Sequence, residues 1–92
     1  MDNQQKFRVR LGSKNSRDLV VYYNDGEATI SFRPYDDPRE KRRVKNLITT
    51  AVSKSGGELT DAFDDGPHHI VRFSLPDVAA FRQKYEVLSK AA

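Results

Sequence analysis

The residues whose types and spacing most suggest chemistry are the cations that follow Asp36-Asp37-Pro38. Arg39, Lys41, Arg42, Arg43 and Lys45 crowd one short run, interrupted only by Glu40 and Val44. Read as a helix, this run forms the first two turns, where aligned peptide dipoles leave partial positive charge and each added cation is locally unfavourable. Asp36 and Asp37 offset part of that cost. A segment that breaks a local rule without a visible folding return is where function is to be sought. On a helical wheel Arg39, Arg42 and Asn46 fall opposite the apolar stripe, with Arg43 and Lys45 flanking it. That face is expected to meet something anionic, either a phosphate backbone or an acidic protein surface.

A second set comes from alternation. Lys6, Arg8 and Arg10 interleave with Phe7, Val9 and Leu11, the period of a strand with one buried and one open face. Arg33 joins them on the open side, as does Arg72 by register. Neighbours on a strand face opposite ways, so either Tyr22 or Tyr23 shares that side. Val20 is placed inward and Tyr23 in the binding set. Cations with an aromatic ring on an open sheet can hold a single nucleic-acid strand, the cations taking phosphates and the ring stacking on a base. The plainer reading is that an open face needs polar residues, and Thr29 and Ser31 fit that.

Other candidates carry less. His68-His69 follows Asp64-Asp65, but adjacent strand residues point apart and cannot chelate one metal, and no further ligands stand at a recognisable spacing. One exposed His on a basic surface would suit general acid–base cleavage of RNA, yet no second acid–base partner is identifiable. No catalytic residue, metal or cofactor is expected. Asp36-Asp37 and Asp64-Asp65 each adjoin Pro or Gly and are read as turn residues that satisfy local N–H groups. Gly56-Gly57 lacks the preceding strand and following helix of a phosphate-cradling loop and is read as a helix cap.

The elements that position these residues follow from pattern. Strands are expected over Lys6–Leu11, Leu19–Tyr23 and Ala28–Arg33, the last two joined by the positive-φ turn signal Asn24-Asp25-Gly26. Gly12 to Ser16 is turn chemistry. Asp37 caps a helix with Pro38 at its first position. Val44, Leu47, Ile48, Ala51 and Val52 form its apolar stripe, and Tyr35 is placed as a staple against it or as an exposed contact. A hairpin is expected from Leu59–Phe63 and His69–Phe73 around Asp64-Asp65-Gly66-Pro67. Ser74 to Asp77 resembles a capping box with Ser74 as cap. Val78, Phe81, Tyr85 and Leu88 line the last helix. The order βββα-ββα predicts a two-layer α+β fold, an antiparallel sheet of four or five strands with two helices on one face. Residues 6–90 form the single domain, behind a flexible polar segment at 1–5.

Composition bounds the classes. Ninety-two residues make one domain, with 37% hydrophobic and 32% charged residues. There is no cysteine, which excludes disulfide scaffolds, iron–sulfur clusters, thiolate zinc sites and cysteine nucleophiles. No apolar run matches a membrane span, and the polar start lacks a secretory h-region, so a soluble, intracellular protein is expected. The net charge of +3 is modest; the placement of charge says more than its sum. The expected function is a non-enzymatic nucleic-acid-binding accessory domain using Arg39, Arg42, Arg43 and Lys45, with Lys6, Arg8, Arg10, Arg33 and Tyr23 as a second surface. The alternative is a protein-interaction module docking the same helix on an acidic partner. An uncovered sheet edge would admit a homodimer by strand addition.

Overall fold

A computed structural model describes residues 4–12, 17–34 and 37–87. The turn expected through Ser13 to Ser16, and the roles expected of Tyr35, Asp36 and Leu88, lie outside the described residues. Five strands and two helices follow in the order β1 (Gln5–Leu11), β2 (Arg17–Asn24), β3 (Glu27–Phe32), α1 (Pro38–Lys54), β4 (Glu58–Asp65), β5 (His68–Ser74) and α2 (Val78–Tyr85). The sheet is antiparallel throughout, in the spatial order β1-β2-β3-β5-β4. This is the expected α+β arrangement. The first three strands form the meander, and the β4–β5 hairpin docks through β5, with α1 crossing from central β3 to edge β4.

Local chemistry explains the joints. Asp25 and Gly26 both take positive φ, the two-residue turn that suits the twist of a hairpin. The Gly26 carbonyl also accepts from Leu75 N–H at 2.8 Å, tying this turn to the segment that leads into α2. Asp37 caps α1 by accepting from Arg39 N–H at 2.9 Å, with Pro38 behind it. Gly56, at φ +77°, ends the helix, and Gly57 N–H returns to the Val52 carbonyl. At Gly57 a Cβ would stand 2.3 Å from the Ser74 carbonyl oxygen, so only glycine lets the chain pass β5 there.

The core is one layer between the sheet and both helices. Phe7, Val9, Leu11, Leu19, Val21, Ala28, Ile30, Phe32, Val71 and Phe73 face Val44, Ile48, Ala51, Val52, Leu75 and Phe81. Phe81 makes tilted or edge contacts with Phe7, Phe73 and Tyr85, which fixes α2 to the sheet. Here Val20 must be corrected: Val21 is fully buried and Val20 is half-exposed on the open face. Leu19–Tyr23 is apolar on both faces, so alternation could not choose; the register does, by setting Val21 beside Phe7 and Ile30. Leu47 and Val78 are partly buried against the core rather than within it.

Three further expectations change. Ser74 does not cap α2, because its hydroxyl is taken by the backbone of Glu58 across the β4–β5 ladder. Asp77 caps instead, accepting from Ala80 N–H at 3.0 Å. Asp64 and Asp65 belong to β4, and the turn is only Gly66-Pro67. Gln5 lies within β1, and its side chain accepts from Arg82. Beyond α2 the chain returns to the outer side of β1, where Glu86 bridges Val9 and Val87 N–H donates to the Arg8 carbonyl at 2.8 Å. β4 forms the other edge and carries a bulge between Leu59 and Asp61. Among the described residues no helix is long and apolar enough to cross a membrane.

Candidate functional site

Helix α1 sorts its cations into two kinds. Arg43 is half-buried and bound to Glu40 one turn back at 3.0 Å. Lys41 reaches across to β4, where its ammonium is 2.9 Å from Asp64. Arg39 and Arg42 are exposed and Lys45 is half-buried; among the described residues none of these three makes an ion pair. Arg39 and Arg42 point away from the stripe of Val44, Ile48, Ala51 and Val52 that packs on the sheet. The charge that breaks the helix-dipole rule is therefore only partly answered from within the fold.

Asp64 is the centre of a chain of contacts. Besides Lys41, its carboxylate lies 2.7 Å from Nδ1 of His69. The Lys41 bond and then the His69 bond hold the Asp64 carboxyl below its ordinary value, since both stabilise the charged form. His69 is 5% exposed and stands edge-on to Phe32, and its buried Nε2 has no hydrogen-bond partner among the described residues. The register explains the cluster: Phe32, His69 and Asp64 form one row at the sheet end where α1 begins. Two clefts flank it. One, of about 390 Å³, is lined by Pro38, Lys41, Arg42, Lys45 and His69. The other, of about 290 Å³, lies toward the β4–β5 turn and includes Asp64 and His68. Among the described residues no three His, Asp or Glu side chains gather as a metal set.

The open face of the sheet is mixed in charge. Lys6, Arg8 and Arg10 are exposed on β1 as their alternation requires. Arg10 is held by Asp18 of β2, Nε to Oδ1 at 2.8 Å; this bond raises the arginine's pKa and lowers the aspartate's. One row across the sheet reads Lys6, Tyr22, Thr29, Arg72, Asp61. Tyr22 is 42% exposed with the Lys6 ammonium 5.6 Å from its ring centre, and the Arg72 guanidinium stands 5.4 Å from that of Phe63. Arg33 is exposed just past the end of β3.

Tyr23 is therefore corrected. It packs against the core, and Tyr22 is the ring that shares a face with Lys6 and Arg8. The error has the same source as Val20, a strand apolar on both sides. The acidic members of the open face, Asp18 and Asp61, were missed for want of register. So was the role of Asp64, whose bond to Lys41 joins residues far apart in sequence. The structure brings Arg42 and Lys45 together in one cleft and keeps them on the opposite side of the sheet from Lys6, Arg8, Arg10 and Tyr22. Comparison of the chain with protein-family models, with curated proteins and with solved structures found no match.

Proposed function

We propose that this domain binds nucleic acid without catalysing a reaction on it. Arg39, Arg42 and Lys45 take backbone phosphates, and Lys6, Arg8 and Tyr22 form a second surface on the open sheet. Arg43 and Arg10 contribute less, because Glu40 and Asp18 already hold them. The choice of nucleic acid over an acidic protein surface rests on one observation: the ring of Tyr22 is exposed on the sheet beside a lysine. Acidic protein surfaces need only the cations, whereas a base offers a face on which tyrosine can stack. Stacking also favours single strands, whose bases are not already paired.

The test is fluorescence anisotropy with labelled single-stranded RNA, single-stranded DNA and duplex DNA, each over a salt series. The expected result is dissociation constants on the order of micromolar that weaken steeply as salt rises, because neutralised phosphates release condensed counterions. A flat response to all three ligands at low salt would remove this reading. The cations of α1 would then be a docking surface for an acidic protein.

A further inference from the structure

Both helices pack on one side of the sheet, and among the described residues no element covers the other. The middle of that open face is nevertheless apolar. Val20, Ile70 and Phe63 are half-exposed there, beside exposed Tyr22. Val20 pairs with Arg8, and Ile70 with Phe63, so these side chains form a band across the strands. Threonine or serine would serve an open face in water, as Thr29 and Ser31 do, and an apolar band in their place marks a contact surface.

Charge on this face is sorted by strand, which is the second, independent observation. On β1 the open side carries Lys6, Arg8 and Arg10, all basic. On β4 it carries Glu58, Asp61 and Asp65, all acidic, placed by their pairing with Ser74, Arg72 and His68. These two strands are the outermost of the sheet, so the face runs from positive to negative across its width. A phosphate chain suits the β1 half alone, and the β4 half repels it. The whole face fits a partner with both signs and an apolar band between them, and this chain is itself such a partner.

We infer that a second copy of this chain covers the open face, in a two-fold pair that lays the basic β1 edge of each over the acidic β4 edge of the other. Stacked sheets keep their strand directions within about 30° of each other. A two-fold axis along the strands, over central β3, then sets β1 on β4 twice. Lys6 and Arg10 meet Asp61 and Asp65 of the second copy, and Val20 meets Ile70. An axis across the strands would lay β1 on β1 and β4 on β4, like charge on like, so charge selects the first. On the chosen axis Glu27 and Arg33 each meet their own copy, but they stand at opposite ends of β3, where both reach water. Four strand spacings of about 4.8 Å make the face roughly 20 Å wide. That is at the small end of specific interfaces, so the pair exchanges with monomer at concentrations on the order of micromolar or above. The inference goes beyond the nucleic-acid reading and does not rest on it. The pair covers Tyr22, so a single strand and a second copy exclude each other there, while the cations of α1 stay outside.

The experiment is sedimentation equilibrium of the full chain from micromolar to near-millimolar concentration, with two charge-reversed variants. One is Lys6→Glu with Arg8→Glu, the other Asp61→Lys with Asp65→Lys; all four residues are exposed. Wild type should form a reversible dimer. In each variant alone the dissociation constant should rise about tenfold or more, because repulsion replaces attraction at both edges. Mixed in equal amounts, the two variants should pair with each other about as tightly as wild type, since each edge again joins opposite signs. Arg39→Glu with Arg42→Glu makes the same change in net charge on α1 and is the control. Mixed with the aspartate variant, it should pair only with itself. Circular dichroism melts check folding, and the single reversals Lys6→Glu and Asp61→Lys replace any double reversal that does not fold. A wild type that stays monomeric, reversed variants that dimerise as wild type does, or a mixture that stays monomeric overturns the pair. So does equal pairing of the aspartate variant with the α1 control. No nucleic acid enters these measurements, so their failure leaves the strand-binding reading standing, and strands that do not bind leave the pair standing.

Discussion

Replacing Arg39, Arg42 and Lys45 together with glutamine should alter salt dependence and leave stability alone. Among the described residues none of the three makes an ion pair, so no carboxylate is orphaned when they go. They lie in the first turns of α1, where positive charge opposes the dipole, and glutamine is a comparable helix former. Each cation that neutralises a single-strand phosphate contributes about 0.7 to the slope of log K against log salt. Losing three lowers the slope by about 2. Over a roughly fourfold rise in salt, wild-type binding should then fall about twentyfold more than that of the variant. Arg10→Gln is the contrasting case: Arg10 must leave Asp18 before it can meet a phosphate, so its slope should change by much less than about 0.7. Anisotropy over a salt series measures both, with thermal melts alongside. The reasoning is refuted if the triple variant keeps the wild-type slope, or if Arg10→Gln lowers the slope as much as Arg42→Gln does. A clear fall in melting temperature for the triple variant would show that these cations serve the fold.

Three other outcomes follow from particular contacts. Tyr22→Ala should weaken single-strand binding by roughly 1–3 kcal/mol, the worth of one stacked base, with little change in melting temperature. Tyr23→Ala should do the reverse because that ring packs on the core, and anisotropy beside thermal melts separates the two. Phe81→Ala should cost about 3–5 kcal/mol in urea unfolding, since Phe81 is fully buried among Phe7, Phe73 and Tyr85; a loss below about 1 kcal/mol would mean that α2 is not packed as described. Lys41 and His69 hold Asp64 below its ordinary value of 3.8, so its stabilising contribution is complete above that value and drains away as pH falls through the lower native one. Urea midpoints of wild type and Asp64→Asn should differ at neutral pH and converge in acid, whereas a constant gap across that range would speak against the Asp64 pairing.

Much of this fold is legible because single residues carry strong local signals. Phe7, Val9 and Leu11 alternate with cations, so one face of β1 is fixed before any partner is known. Asn24-Asp25-Gly26 and Asp37-Pro38 mark a turn and a helix start by backbone geometry alone. Legibility fails where local chemistry is symmetric or a partner is remote. Leu19–Tyr23 offers apolar residues to both sides, and only pairing with Phe7 and Ile30 turns Val21 inward and Tyr22 outward. Ser74 and Asp77 are both plausible caps in sequence; Glu58, a strand away, takes the serine. The same holds for function: the run from Arg39 to Lys45 is conspicuous as a string of cations. Which of them are neutralised depends on Glu40 and Asp64, and Asp64 reads as a turn residue until β4 sets it opposite His69.

The bond from Val87 N–H to the Arg8 carbonyl joins positions from near the two ends of the described chain. The β1–β2–β3 meander needs only short loops and can assemble early, while closure over so long a loop comes late and slows folding. Until α2 has formed and Glu86 and Val87 have come back along β1, the outer rung of that strand offers unpaired groups to any neighbouring chain. During synthesis β1 would thus leave the ribosome adhesive and gain this cover only when α2 and the two residues after it have followed.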